Sequence, residues 1–321
     1  MKRYIWRCVR EASTVTCGWR TRAGGAGVTR YGYCSPHCGW QAVTGWEAGM
    51  QAKELLYECD SVSFVYPDGT PALKEVSFRV WREERIAILG VNGSGKSTLL
   101  RLLDGLLEPT GGEIRFLGTP LTERNLQDAV FGRKLRQRVG FVFQDADAQL
   151  FNATVWDEVA FAPRQLGMSE SEVQRRVTDT LNLLGIAHLA ERAPFRLSGG
   201  EKRKVAIACV LSMNPEVLLM DEPVAGLDPR MQNWLVNTLR LLHEAGKTLL
   251  IATHNLHVLP EFAERVLILS EKHQLIADLS VNDALANESL LIEAGLLHKH
   301  PHAHGDIVHT HLHAHEHHHE E

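Results

Sequence analysis

The sequence predicts an α/β protein with a parallel-sheet core and an antiparallel β subdomain beside it. Near-continuous apolar runs recur along the chain, as in "RIAILG", "VGFVFQ", "VLLMDEP", "TLLIATH" and "RVLILSE". Strands of this kind are buried on both faces, which is typical of parallel sheets that are covered by helices. Amphipathic helical patterns lie between these runs, so the chain alternates between strand and helix.

The antiparallel part is predicted from two further strand-like runs, "SVSFVY" and "VSFRV", which open this region. "YPDGTP" separates them, and its proline, aspartate and glycine are typical of a turn. Further along, Ser169 and Glu172 have the spacing of a capping box, which predicts the start of a helix. Four apolar residues follow on one face of that helix (Val173, Val177, Leu181 and Leu184).

The composition is that of an ordinary globular protein. The 321 residues are 44% hydrophobic and 23% charged, with a net charge of −5. No run reaches the roughly 18 apolar residues that a membrane-spanning helix requires, so work at a membrane would need other chains to supply the span. Residues 1–49 carry a charge of +5, which leaves −10 after them. Because acidic surfaces repel phosphate backbones, we expect no nucleic-acid partner.

The two ends of the chain differ from its middle. Residues 1–49 hold four of the six cysteines and four of the seven tryptophans, without helical or strand periodicity. We interpret residues 1–49 as a non-native or disordered extension, with translation starting at Met50; a functional disordered extension is the alternative. The sequence therefore predicts a folded domain over residues 50–297 and a separate histidine-rich tail over 298–321.

A glycine-rich loop follows the strand "RIAIL" and precedes the helix "STLLRLLDGLL". The loop "GVNGSGKST" matches G-x-x-x-x-G-K-[ST], whose backbone N–H groups form a nest for phosphate oxygens at a helix N-terminus. We expect Lys96 to reach the β- and γ-phosphates and the Ser97 hydroxyl to bind Mg²⁺. The predicted nucleotide-binding residues are Gly90, Val91, Asn92, Gly93, Ser94, Gly95, Lys96, Ser97 and Thr98.

Two carboxylates end a buried strand about 125 residues later. Asp221 and Glu222 follow the hydrophobic residues 217–220. We expect Asp221 to hold Mg²⁺ and Glu222 to polarise the attacking water. Acidic residues often end strands merely for solubility, but the glycine-rich loop in the same α/β unit favours the catalytic interpretation.

A second candidate phosphate site begins at Ser198. In "RLSGGEKRKVAIACVL", Ser198, Gly199 and Gly200 stand where a helix begins. A plain N-cap is the local alternative. One chain does not need two phosphate cradles for one nucleotide, which predicts that this one serves a second protomer.

"GVNGSGKST", "LSGGE", "VLLMDEP", "GLD" and "ATH", in this order, resemble the nucleotide-binding subunits of ABC transporters. The resemblance covers about residues 55–297. It implies a P-loop NTPase fold of ABC type, with a parallel-sheet core, an antiparallel β subdomain and an α-helical subdomain. It also implies ATP and Mg²⁺ as ligands, hydrolysis coupled to transport, and a dimer formed with itself or with a second ABC ATPase.

Four more positions take their expected roles from this resemblance. Tyr66 resembles the aromatic residue that stacks on adenine, with a core tyrosine as the alternative. Gln144 resembles the Q-loop residue that links the metal and the nucleophilic water to the membrane partner. Asp228 resembles the D-loop acid that communicates across the dimer. His254 resembles the switch histidine that touches the γ-phosphate.

"YPDGTPAL", "FQDADAQLF" and "LLIEAGL" resemble, more narrowly, the ATPases of energy-coupling-factor importers, which move vitamins or transition metals. This implies a transmembrane energy-coupling subunit, a substrate-binding membrane subunit and a peripheral location on the cytoplasmic face of the cell membrane. Two positions depart from the family: Asn255 replaces the usual aspartate, and the run 276–280 lacks a glycine. A soluble ABC ATPase is the less favoured alternative, because the chain has one ATPase unit and an acidic balance.

The tail separates a metal importer from a vitamin importer. It holds 11 of the 17 histidines, and neutral imidazole is a good ligand for Ni²⁺ and Co²⁺. Histidines alternate with other residues in two runs, and alternate side chains of an extended chain face one way. Sequence drift in a low-complexity end is the alternative. The predicted ligands of Ni²⁺ or Co²⁺ are His298, His300, His302, His304, His309, His311, His313 and His315.

Overall fold

The computed structural model describes residues 53–304 and 307–314, together with three strands nearer the N-terminus. The chain divides into two compact units, Met1–Ala52 and Lys53–Glu321. In the first unit the three strands pair antiparallel in the order β1–β2–β3 (β1, Ile5–Glu11; β2, Thr14–Arg20; β3, Arg30–Tyr33). The sequence did not predict these strands, since their strand-favouring valine, threonine and tryptophan residues form no regular pattern.

An antiparallel sheet opens the second unit. Its described strands lie in the order β5–β4–β7–β8 (β4, Leu55–Val65; β5, Pro71–Trp81; β7, Gly111–Phe116; β8, Thr119–Pro120). The first strand begins six residues before the predicted run, because Leu56 and Tyr57 are also buried between the partners of β4. The predicted turn is present: the Asp68 carboxylate accepts the N–H of Thr70 at 2.9 Å.

The parallel core is the second sheet of this unit. The strand order is β13–β12–β6–β11–β10–β9, and only β13 at the edge is antiparallel among these described strands (β6, Arg85–Leu89; β9, Val139–Val142; β10, Val217–Asp221; β11, Thr248–Thr253; β12, Arg265–Leu269; β13, Leu275–Ser280). Both faces are covered. On β10, Val217 and Leu219 pack into one apolar cluster, whereas Leu218 and Met220 pack into another on the opposite face. The prediction of a parallel sheet from continuous apolar runs is confirmed.

The described helices follow the predicted alternation (α1, Lys96–Leu103; α2, Glu123–Gln127; α3, Ala129–Arg138; α4, Val155–Gln165; α5, Glu170–Leu183; α6, Gly199–Leu211; α7, Pro229–Glu244; α8, Leu259–Phe262; α9, Val281–Ala286; α10, Glu288–Glu293). Helices α4, α5 and α6 pack on one another between β9 and β10 in the chain, which gives the α-helical subdomain. Ser169 caps α5 as expected, but the Glu172 side chain bonds Arg175 and Arg176, so the capping box is only half formed. Among the described residues, no helix is both long and apolar enough to cross a membrane.

The order of the strands brings the residues of the candidate site together. In a parallel sheet the carboxyl ends of neighbouring strands meet at one edge, where ligands bind. The glycine-rich loop follows β6, His254 follows β11, and Asp221 and Glu222 end β10. Since β6, β11 and β10 are adjacent, these groups lie side by side. Two paired strands follow the core (β14, Leu297–His304; β15, Ile307–Ala314).

Candidate nucleotide site

The glycine-rich loop has a shape that only glycine allows at two of its positions. Gly95 has φ of +104°, and a Cβ there would lie 2.2 Å from the backbone oxygen of Ala72. A Cβ at Gly90 would lie 2.7 Å from the backbone oxygen of Leu269. The loop is thus wedged between β5 and β12 and leads directly into α1, whose N-terminal N–H groups and dipole favour an anion.

Lys96 is the buried cation of this loop. Its side chain is only 5% exposed, and its Nζ donates to the carbonyls of Gly90 at 2.8 Å and Val91 at 3.2 Å. Burial lowers the pKa of Lys96, and the carboxylate of Glu222, with Oε1 at 3.5 Å from Nζ, opposes that shift. Lys96 therefore presents a desolvated charge at the mouth of the loop, where a phosphate would be a stronger partner than two carbonyls.

Glu222 is held in an unusual backbone conformation. Its φ is +42°, in the left-handed region that non-glycine residues rarely adopt, and its N–H donates to the carbonyl of Ala252 on β11 at 3.0 Å. Strain of this kind persists only where the surroundings impose it, and it is frequent at functional sites. The Nδ1 of His254 lies 2.8 Å from Oε1 of Glu222. The structure thus brings the predicted base and the predicted switch histidine into direct contact.

The two carboxylates leave oxygens without a hydrogen-bond partner in the described chain. These are Oδ1 of Asp221 and Oε2 of Glu222, and both are buried. Burial raises the pKa of Asp221, while a hydrogen bond from Ser97 acts in the opposite direction. An orphaned buried carboxylate oxygen beside a hydroxyl is the ligand set that a hard cation such as Mg²⁺ requires. Asp221 and Ser97 therefore fit the predicted Mg²⁺ site.

Tyr66 lies beside the same helix. It is half-buried, its hydroxyl is 2.9 Å from the Thr98 hydroxyl, and its ring packs edge-on against Phe64 with centroids 5.0 Å apart. This places an aromatic ring next to the loop, as stacking on adenine would need. Tyr66 also packs against the apolar core, so both interpretations from the sequence are compatible with its surroundings.

The other predicted residues form a second group. Gln144, Gly199, Gly200 and Asp228 line an open cleft of about 250 Å³, and no residue of 90–98 is part of its described lining. Ser198 is exposed and caps α6: its Oγ accepts the N–H of Glu201 at 3.4 Å, and its N–H donates to the Glu201 carboxylate at 2.8 Å. The local N-cap that the sequence offered as an alternative is therefore present.

Asp228 also caps a helix, a structural role that the sequence did not predict. Its carboxylate accepts the N–H of Met231 at 2.8 Å and so caps α7. Two residues near Gln144 were missed altogether. Gln149 and Arg203 both bond the backbone of Phe143, the residue that precedes Gln144. Nothing in their spacing signals this contact, because it depends on how α6 packs against β9.

Seven of the eight predicted metal ligands of the tail lie on the paired strands β14 and β15. His315 lies outside the described residues, as do the three histidines that follow it, and those on β14 and β15 are described only by their strand positions. Where side chains are described, residues 53–297, no group of three or more His, Cys, Asp or Glu side chains is arranged to hold a metal ion.

A buried lysine in a glycine-rich loop, set beside two strand-end carboxylates on a parallel sheet, defines a P-loop nucleotide hydrolase. The ABC transporter family matches residues 73–225, a span that includes the loop, Gln144, the Ser198 region and both carboxylates. The chain belongs to the ABC transporter family and is an ATP-hydrolysing, ATP-binding subunit of the energy-coupling-factor type. The prediction of the family is confirmed.

Three known proteins place the chain within the family. It is 48% identical over 223 residues to the nickel import ATP-binding protein of Lactiplantibacillus plantarum, and the aligned region covers 70% of this chain and 92% of that protein. It is 42% identical over 241 residues to the energy-coupling factor transporter ATP-binding protein of Methanothermobacter thermautotrophicus, covering 75% and 76%. The structure of cbiO1 from Clostridium perfringens, part of the ABC transporter complex cbiONQ, superposes with a TM-score of 0.65 at 36% identity, covering 76% and 96%.

Proposed function

We propose that this ATP-binding subunit powers the uptake of a transition-metal ion, Co²⁺ or Ni²⁺, through separate membrane subunits. The observation that carries the proposal is the histidine-rich end of the chain, with 11 histidines between residues 298 and 319. The relative named as a nickel import protein supports the same substrate class. A vitamin importer of the same architecture is the alternative that a failed metal test would favour.

The membrane partners in this proposal are an energy-coupling subunit and a substrate-binding subunit, with the chain peripheral on the cytoplasmic face. An exposed aromatic pair in the part of the chain that follows Gln144 supports a docking surface for these partners. Phe151 and Phe161 are 68% and 40% exposed and contact each other edge-on, with centroids 5.0 Å apart. Exposed aromatic rings that are in contact favour burial by an apolar partner surface.

For hydrolysis, we propose that the amides of residues 90–98 and Lys96 bind the phosphates while Tyr66 stacks on adenine. Asp221, Ser97 and Gln144 would hold Mg²⁺, which supplies charge neutralisation on the phosphate oxygens. Glu222 accepts the proton of the attacking water, and His254, whose Nδ1 is 2.8 Å from Oε1 of Glu222, orients that carboxylate and contacts the γ-phosphate.

The second protomer completes each site. Ser198 and Gly199 are exposed, and no atom of the described residues lies within 4 Å of a Cβ built on Gly199, so the first turn of α6 is open to another molecule. We propose that this turn binds the nucleotide held by the glycine-rich loop of a partner, and that Asp228 lies near the same contact. The partner is a second copy or a second ABC ATPase, since both half-sites are present in this chain.

The strand register of the tail supports metal binding. β14 and β15 pair antiparallel with His298 opposite His313, His300 opposite His311, and His302 opposite His309. Positions two apart in a strand share a face, so these six positions lie on one face of the hairpin. Opposed positions in such a pair are about 5 Å apart, a spacing suited to two ligands of one ion.

The test has two arms. Truncation after Leu297 removes several bound Ni²⁺ or Co²⁺ per chain in calorimetry at pH 7.5, while basal ATP hydrolysis is kept. In full-length chain, exchanging each β15 histidine with the residue after it (309 with 310, 311 with 312, 313 with 314) keeps the composition but moves the histidines to the other face. Affinity for Ni²⁺ then falls roughly tenfold, as expected when a second ligand no longer shares the ion.

Exchanging Thr310 with Leu312 is the matched control, because every histidine keeps its position; it leaves Ni²⁺ affinity unchanged. Equal metal stoichiometry with and without the tail would refute metal binding and favour the vitamin importer. Metal uptake by membranes that contain the whole complex, dependent on ATP, then identifies the transported ion. Binding strength alone does not, since imidazole ligands favour Ni²⁺ over Co²⁺ in any site.

A further inference from the structure

The residue before Gln144 is held on both sides by side chains. The N–H of Phe143 donates to Oε1 of Gln149 at 3.2 Å. Its carbonyl accepts from Nη1 of Arg203 at 2.9 Å. The ring of Phe143 also packs against Phe141 on β9, with centroids 4.6 Å apart. Both backbone groups of Phe143 are therefore fixed before the chain reaches the exposed Gln144.

Both of these side chains lead to helix α6. Arg203 belongs to α6 itself, and Nε2 of Gln149 donates to the carbonyl of Ala206 on the same helix at 2.9 Å. A third link is an ion pair between Lys202 and Asp147, with Nζ and Oδ1 2.6 Å apart. The stretch around Gln144 is thus attached to α6 at three points, while the N-terminus of α6 carries Ser198.

Stability alone gives a poor account of Arg203. The residue is 7% exposed, and its guanidinium bonds a backbone carbonyl rather than a carboxylate. Burying a charged group for one hydrogen bond is costly, and an apolar residue of similar length often replaces such a group without loss of stability. A role in positioning explains why a cation occupies this place.

We propose that Arg203 and Gln149 are positioning residues that make Gln144 follow the movement of helix α6. When the first turn of α6 engages a nucleotide on a partner, any shift of the helix is passed through Arg203 to the carbonyl of Phe143 and through Gln149 to its N–H. Gln144, the next residue, moves together with these two backbone groups. The inference rests on the proposed role of Gln144 at the metal and the attacking water.

The first test is Arg203→Met, which removes the guanidinium but keeps the apolar stem. We expect kcat for ATP hydrolysis to fall roughly tenfold to a hundredfold, the scale of a misplaced catalytic group. ATP affinity stays unchanged, because the glycine-rich loop is not touched. Arg175→Met is the matched control: the same change on an exposed face of α5 leaves kcat unchanged. Arg203→Lys, which keeps one donor, recovers part of the rate.

Gln149 gives an independent variant in case Arg203→Met fails to fold. Gln149→Glu keeps an acceptor for the N–H of Phe143 but loses the donor to Ala206. Because this variant breaks only the link to α6, we expect kcat to fall. Its Tm should be equal to or higher than that of Gln149→Leu, which loses both hydrogen bonds. A wild-type kcat in a folded Gln149→Glu chain would overturn the coupling.

The decisive comparison is the double variant with Gln144→Ala. If Arg203 acts through Gln144, the chain with both changes hydrolyses ATP no more slowly than Gln144→Ala alone. Losses that multiply would show that Arg203 acts separately and would overturn the proposal. A wild-type rate for Gln144→Ala itself would instead remove the proposed role of Gln144, so the two failures are distinguishable.

Discussion

The two candidate phosphate-binding regions of this chain differ in how they are built. Around the glycine-rich loop, Lys96, Asp221 and Glu222 are 3–5% exposed, and two carboxylate oxygens are left without a partner in the described chain. At the first turn of α6, Ser198 and Gly199 are exposed, and the Ser198–Glu201 capping box satisfies its own groups. The first region has buried chemistry that needs a ligand, and the second is a stable surface that needs no ligand to fold.

From this difference we infer separate roles for the two regions. The strained φ of Glu222, which costs about 1–3 kcal/mol, and the desolvated Lys96 are arranged in advance by the sheet. The exposed turn of α6 has no such strain among its described residues. We infer that the loop region holds the reacting groups. The α6 region controls hydrolysis, because an ATP site is complete only when the α6 turn of a partner contacts it.

The largest effect is expected from Glu222→Gln. The amide cannot accept the proton of the attacking water, so hydrolysis slows by about 10²–10⁴-fold, the usual effect of losing a general base. ATP binding is kept, because Lys96 and the loop are unchanged, and the bound ATP holds the dimer closed. Single-turnover hydrolysis and equilibrium ATP binding measure the two parts. A near-wild-type rate would show that Glu222 is not the base.

The second-largest effect is expected at Ser198, where two substitutions distinguish capping of α6 from contact with a partner. Ser198→Arg places a long cation on the exposed turn and prevents a partner nucleotide from approaching, so steady-state hydrolysis falls at least tenfold while ATP still binds to the loop. Ser198→Ala is the matched control: it loses only the cap, at about 1 kcal/mol of stability, and keeps more of the rate. Equal rates for the two variants would contradict an interface at this turn.

Many features of these two regions could be predicted from the sequence, whereas others could not. The loop, the carboxylates and the strands that carry them are local patterns, so residues 90–98, Asp221 and Glu222 were placed correctly at the sheet edge. Contacts that depend on packing were invisible: the approach of His254 to Glu222, the capping by Asp228, and the attachment of Phe143 to Arg203. The antiparallel edge strand β13 was missed because its residues are only partly buried and show no apolar run.

A smaller effect concerns the helix behind the loop. Burial raises the pKa of Asp104, the C-cap residue of α1, to about 7, and Arg136 only partly opposes this. Because the folded state holds this proton more tightly than the unfolded chain, the stability contributed by Asp104 is complete below about pH 4 and is lost as pH rises through about 7.

Asp104→Asn removes that pH dependence. Near pH 4 the variant and the wild type should have similar Tm values, whereas at pH 8 the variant should melt higher by roughly 2–4 °C for each kcal/mol gained. Thermal melts at both pH values check this. A wild-type Tm that rises relative to Asp104→Asn between pH 4 and pH 8 would contradict the raised pKa.

The central claim is that each ATP site joins the loop of one chain to the α6 turn of another. Mixing Lys96→Ala chains with Ser198→Arg chains tests it most directly. Each variant alone has at most about a tenth of the wild-type activity as a homodimer, because one half of both sites is broken. A mixed dimer contains one site with two intact halves, so the mixture regains ATP hydrolysis at up to one site per mixed dimer. Activity equal to the sum of the separate variants at every mixing ratio, with mixed dimers present, would contradict the claim.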